Sequence, residues 1–268
     1  IHGKLVQALA SDPDSAAYEG QMWFNTTSSD YKTILKVAGS WATGGDLNAA
    51  KYALMGADQA TQTAGLVFAG HPALQTTEEY DGSSWTESGD LNTGRKAGGG
   101  AGIQTAALCI TGDDTANVEQ YDGSSWTEIA NVNTKREDGA AAGIVSSALM
   151  VAGFSGGRVT NCESWNETSW TEVADIPAAT MYLAAAGATG SAVLQTGGSI
   201  AGNAHAAECA SFDGTNWTVV ADFNTARDQN QTSGTTALAI TVGGQSPSVV
   251  AITEFWDGTG WTEVGDLS

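Results

Sequence analysis

The stretch YDGSSWTE at residues 80–87 recurs letter for letter at 121–128, and the variants WNETSWTE (165–172), FDGTNWTV (212–219) and WDGTGWTE (256–263) follow it along the chain. In all five copies an aromatic residue stands five places before the tryptophan, and Asp or Asn stands four before it. An Asp-Gly or Asn-Glu step among small polar residues is a tight-turn signal, so each copy reads as a hairpin of two short strands.

Working outward, the anchors are Trp41, Trp85, Trp126, Trp170, Trp217 and Trp261, spaced by 44, 41, 44, 47 and 44 residues. Six units of 44 account for 264 of the 268 residues. Asp follows the anchor by five places at Asp46, Asp90, Asp175, Asp222 and Asp266, with Asn131 in the remaining unit, and these close the second strand of the hairpin. Ahead of the hairpin lies a run of small residues (GGGAG at 98–102, GAAAG at 139–143, LAAAGA at 183–188). An apolar strand ending in glycine comes next: GLVFAG (65–70), ALCITG (107–112), ALMVAG (148–153), AVLQTGG (192–198) and LAITVGG (238–244). Four short strands per unit at a period of about 40–50 residues make a propeller blade. The small-residue run fits the innermost strand, where strands converge on the axis. A phosphate loop would need a Gly-Lys-Ser/Thr ending and a following helix, which the glycine runs lack.

The expected fold is therefore an all-β propeller of four-stranded blades in a single domain over residues 1–268. Six blades are expected, an atypical first blade over 1–44 and five repeats over 45–268. Five blades with an N-terminal extension is the alternative.

Composition agrees. Gly is 34 of 268 residues, Pro only 4 and charged residues 15%, against long helices and coiled coils. With 10 Lys and Arg against 30 Asp and Glu, the net charge of −20 lacks the clustered cations that phosphate backbones require, so no nucleic-acid partner is expected. No apolar run approaches about 18 residues, so no membrane insertion is expected. The first residue is Ile1 and no leader pattern follows it, from which processing or a longer parent chain is expected. Cys109, Cys162 and Cys209 form no CxxC, and the histidines are only His2, His71 and His205, so no metal, cofactor or catalytic residue is assigned.

Ten residues after the tryptophans stand Lys51, Arg95, Arg136, Thr180 and Arg227; seven before the next ones stand Glu78, Glu119, Glu163, Ala210 and Glu254. Cation and carboxylate are present together in four units and absent together in the fifth. Joint loss points to pairing inside the blade rather than to an anion-binding ring, because a lone buried charge is strongly destabilising. The aromatics that recur in every unit read as packing. Binding candidates are non-repeated residues on loops carried by the rigid scaffold: His71, Phe154, Arg158, Tyr182, Asn203 and His205.

The order of marks over 46–268 (glycine-ended strand, Glu, Tyr-Asp, Trp, then Arg opening the next unit) resembles the kelch repeat. YDGSSW is also similar to the sialidase Asp-box, but that motif separates Asp from Gly by one residue, and no sialidase activity is carried over. The segment EGQMWFNTTSSDYKTILKVAGSWAT at 19–43 resembles a hairpin segment of phage tail-fibre and other virion appendage proteins, and the Ala/Gly-rich repeats are similar to kelch-like repeats of virion proteins. These resemblances imply a non-enzymatic propeller at the virion surface or outside the cell. It would attach to a host-surface glycan or pack against other virion or scaffold proteins in a larger assembly. A secreted or surface bacterial lectin or scaffold is the alternative, and a glycan-processing enzyme a third reading.

Overall fold

In the computed structural model, residues 7–9, 22–25, 30–33 and 41–267 are described. The chain divides into two compact units, residues 1–40 and 41–268. In the first, β1 (Gln7–Leu9) pairs parallel with β2 (Met22–Asn25), which pairs antiparallel with β3 (Asp30–Thr33).

The second unit is a propeller of five four-stranded antiparallel sheets. Blade 1 comprises β4 (Met55–Gly56), β5 (Gly65–Phe68), β6 (Thr77–Tyr80) and β7 (Trp85–Ser88). Blade 2 comprises β8 (Gly99–Ile103), β9 (Ala106–Ile110), β10 (Val118–Tyr121) and β11 (Trp126–Glu128). Blade 3 comprises β12 (Ala140–Ile144), β13 (Ser147–Phe154), β14 (Arg158–Trp165) and β15 (Trp170–Val173). Blade 4 comprises β16 (Ala184–Thr189), β17 (Ala192–Thr196), β20 (Cys209–Phe212) and β21 (Trp217–Val220), with a small extra hairpin, β18 (Ser199–Ile200) and β19 (Ala204–His205), inserted between its second and third strands. Blade 5 comprises β22 (Gln231–Gly234), β23 (Ala239–Val242), β24 (Thr253–Trp256) and β25 (Trp261–Glu263).

The expected count of six is thus corrected to five. Each anchor tryptophan opens the outermost strand of its blade, and the three strands inside it precede it in sequence. Six tryptophans therefore bound five complete blades, and Trp41 stands ahead of the first.

The turn of each outer hairpin is built by the residue four before the tryptophan. Asp81 Oδ1 accepts the backbone N–H groups of Ser83 and Ser84, both at 2.8 Å, and Asp122, Asn166, Asp213 and Asp257 do the same in their blades. The residue after it is left-handed in every blade, with φ of 96°, 95°, 74°, 93° and 93° at Gly82, Gly123, Glu167, Gly214 and Gly258. The inner strands converge closely enough to demand small residues. A Cβ on Gly100 would stand 2.1 Å from the Gly56 carbonyl oxygen of the neighbouring blade.

Four apolar cores join the blades in sequence. Leu66 and Phe68 of blade 1 pack with Cys109, Tyr121 and Trp126 of blade 2. Leu108 and Ile110 of blade 2 pack with Met150, Trp165 and Trp170 of blade 3. Leu149 and Val151 pack with Val193 and Phe212, and Leu194 with Trp256 and Trp261. The indoles add a second link, because Trp85, Trp170, Trp217 and Trp261 each donate Nε1–H to the carbonyl four residues after the preceding anchor (Gly45, Ala130, Ala174 and Ala221) at 3.0–3.1 Å. Trp126 instead donates to Thr77 Oγ1.

Candidate site at the channel mouth

The cations found by spacing are enclosed in the blades. Arg95, Arg136 and Arg227 are at most 1% exposed, and each guanidinium contacts the carboxylate of Glu119, Glu163 or Glu254; Lys51 Nζ lies 2.6 Å from Glu78 Oε1. A third member escaped the sequence reading. Asn48, Asn92, Asn133 and Asn224, seven residues after the tryptophan, each give both the backbone N–H and the side-chain amide to the second oxygen of the same glutamate. Blade 4 has Pro177, Thr180 and Ala210 at the three positions, so the triad is lost as a unit. A small pocket of about 50 Å³ bordered by Pro177, Thr180, Gln195 and Glu208 stands there.

The inner strands line an open channel of about 350 Å³, bordered mainly by glycine and alanine and also by Trp41, Ile240 and Val242. Near one end Asp58 spans three blades, its carboxylate accepting the N–H of Gly102 at 3.0 Å and of Gly143 at 3.1 Å. Burial raises its pKa from the ordinary 3.8 to about 7, the hydrogen bonds from Gln59 and the two glycines only partly opposing this.

The other mouth carries a belt of backbone hydrogen bonds twelve residues after the anchors. Ala97 donates to Ala53, Asp138 to Ala97, Tyr182 to Asp138 and Gln229 to Tyr182, at 2.6–3.0 Å. All five residues are left-handed, φ 50–57°. A left-handed non-glycine residue is disfavoured by about 1–2 kcal/mol, and its recurrence here shows that the belt requires this backbone turn. The side chains on the belt differ from blade to blade: alanine in blades 1 and 2, but Asp138, Tyr182 and Gln229 on the half of the mouth formed by the later blades.

Beside that half opens a pocket of about 410 Å³ bordered by Tyr182, Ser199, Asn203, His205, Asp228 and Gln229, among others. Arg158 reaches from blade 3 to the inserted hairpin of blade 4, donating Nε–H to the Ser199 carbonyl at 3.0 Å and Nη2–H to Ser199 Oγ at 3.0 Å and Asn203 Oδ1 at 2.6 Å. His205 Nδ1 lies 3.2 Å from Asp228 Oδ2, and the other Asp228 oxygen is buried with no hydrogen-bond partner among the described residues. Burial raises the Asp138 carboxyl to about 6, with Glu137 adding to the shift and Tyr182 and Lys96 opposing it.

Four of the six loop candidates, Arg158, Tyr182, Asn203 and His205, therefore meet at one place. Phe154 is close by, paired with Arg158 across the β13–β14 hairpin. His71 lies apart, in the β5–β6 connection of blade 1, stacked on Tyr52 with ring centroids 4.4 Å apart. Asp138, Asp228 and Gln229 were missed; the signal was their place at or beside the belt position, where the first two units hold Ala53 and Ala97 at the belt and Tyr52 and Lys96 beside it. The three cysteines are free and buried, and burial pushes their thiols up to about 12. Among the described residues no three His, Cys, Asp or Glu side chains are grouped to hold a metal ion, and no helix is long and apolar enough to cross a membrane.

Fold and site together define a β-propeller of four-stranded blades with a polar pocket at one channel mouth. Among solved structures the chain is similar to YjhT, with 13% identity, a TM-score of 0.68, and 84% of this chain and 86% of that chain covered. At this identity the likeness is one of fold. No family model and no curated protein matches the chain.

Proposed function

We propose that this protein is a non-enzymatic propeller of a virion appendage that attaches to a host-surface glycan through the pocket beside Tyr182. The convergence of Arg158, Tyr182, Asn203 and His205 on one rim of the channel mouth carries this reading. Tyr182 offers a half-buried ring against which a sugar can stack. Gln229, Asn203 and the His205–Asp228 pair offer the mixed donors and acceptors that sugar hydroxyls require, on a largely pre-formed concave surface. The phage-appendage-like segment at 19–43 and the kelch-like repeats support the virion setting.

The test is an array of bacterial surface polysaccharides probed with the protein and with Tyr182→Ala and His205→Ala. Binding that falls at least tenfold in both variants, with unchanged melting temperature, is expected. Binding unaffected by both variants would move attachment to another face, and absence of binding by a well-folded sample would favour packing against other virion subunits.

A further inference from the structure

We infer that the seam between blade 5 and blade 1 is a docking surface for three further antiparallel strands of this same repeat, and that the stretch 41–44 supplies their outermost strand. The inference rests on packing and stands independently of the glycan reading.

Five blades in a closed ring would share five apolar cores. Four exist, and among the described residues none joins blade 5 to blade 1. Among the described residues the faces that would form the fifth are only half-buried. Ile240 and Val242 of blade 5 are half-buried, whereas the residues at the same register in blade 2, Leu108 and Ile110, are 0% exposed. On blade 1, Tyr80 and Val67 are half-buried, while their counterparts Tyr121 and Cys109 are fully enclosed. The backbone belt at the channel mouth likewise runs from Ala53 to Gln229 without closing between them.

What fits the seam is specified by Trp41. Its Nε1–H donates to the Gly265 carbonyl at 3.0 Å. Gly265 lies four residues after Trp261, so this bond repeats the link that blades 3, 4 and 5 each make to the blade before them. Trp41 thus occupies the place of the outermost-strand tryptophan of a sheet following blade 5, yet it is 41% exposed and its own segment forms no strand. An outer strand is ordered by hydrogen bonds to the strand inside it, and among the described residues no strand takes that place beside Trp41. The apolar and repeat-registered character of the seam matches a sheet of the same repeat. The described strands of residues 1–40 include a parallel pair and do not make that meander.

The experiment extends the full chain after Ser268 by a second copy of residues 93–125, the stretch that carries β8–β10 of blade 2. Because Asp266 and Leu267 match Asp90 and Leu91, the copy enters in register. A control extension carries the same residues in scrambled order. The in-register chain is expected to melt about 5 °C or more above the control, with its Trp41 indole protected from solvent quenchers. Ile240→Asp should abolish the gain in the extended chain and leave the unextended chain nearly unchanged. No gain over the scrambled control, or a gain that survives Ile240→Asp, overturns the proposal. So does a stable dimer of the unextended chain by sedimentation that Ile240→Asp dissociates, which would put a second copy in the seam.

Discussion

Glu167 is the exception among the outer hairpins. Four blades place glycine at the left-handed turn position, and blade 3 places a side chain there at φ 74°. Glu167→Gly should therefore raise stability by about 0.5–1 kcal/mol, the left-handed penalty less the extra backbone entropy of glycine, as read by urea unfolding. The buried triads behave oppositely to such exposed turns. Arg95→Ala leaves Glu119 as an enclosed carboxylate, and a loss of about 3–5 kcal/mol is expected. Arg95→Met with Glu119→Gln should lose less, because the amide oxygen still accepts from Asn92 and no charge is left alone. A melting series in which the double variant is no more stable than Arg95→Ala would remove the pairing as the reason for the joint loss of both groups in blade 4. The pairing was legible because repeats compare a chain with itself. Asn92 and its counterparts were equally regular in sequence, but an asparagine in a turn has a local reading that hides its role as a ligand of the glutamate.

At the scale of the element, the innermost strands are governed by proximity. Gly100→Ala would set a Cβ against backbone rather than against a side chain able to move. A loss of about 1–3 kcal/mol is expected, measurable by chemical denaturation. Gly260→Ala, whose Cβ meets nothing within 4 Å, should change stability by less than about 0.5 kcal/mol. The small-residue runs announced this crowding, since the strand nearest the axis has the least room. The blade count was less legible. The tryptophan marks only the outer strand, so counting anchors includes one whose other three strands are not among the described blades.

Across the molecule, the channel couples blades through Asp58. Its pKa of about 7 in the fold lies above the ordinary 3.8, so between those values the folded protein holds a proton that the unfolded chain releases. Stability from this group is present at low pH and is lost as pH rises from about 4 to about 7, by at most about 4 kcal/mol. Asp138, raised to about 6, acts in the same direction. Unfolding of the protein and of Asp58→Asn at pH 5 and pH 8 should show the smaller pH dependence in the variant; equal dependence would place the titration elsewhere.

Period, strand number per blade, turn chemistry and the cation–glutamate spacing could all be read along the chain, because each is a local pattern repeated several times and repetition separates signal from accident. The pocket beside Tyr182 could not. Its residues come from blades 4 and 5, are not repeated, and gain meaning only when the belt turns them toward one rim. The open seam is of the same kind. Ile240 and Val242 look in sequence like any other strand residues, and it is the lack of a neighbouring sheet among the described residues, a property of the ring and not of the strand, that leaves them half-buried.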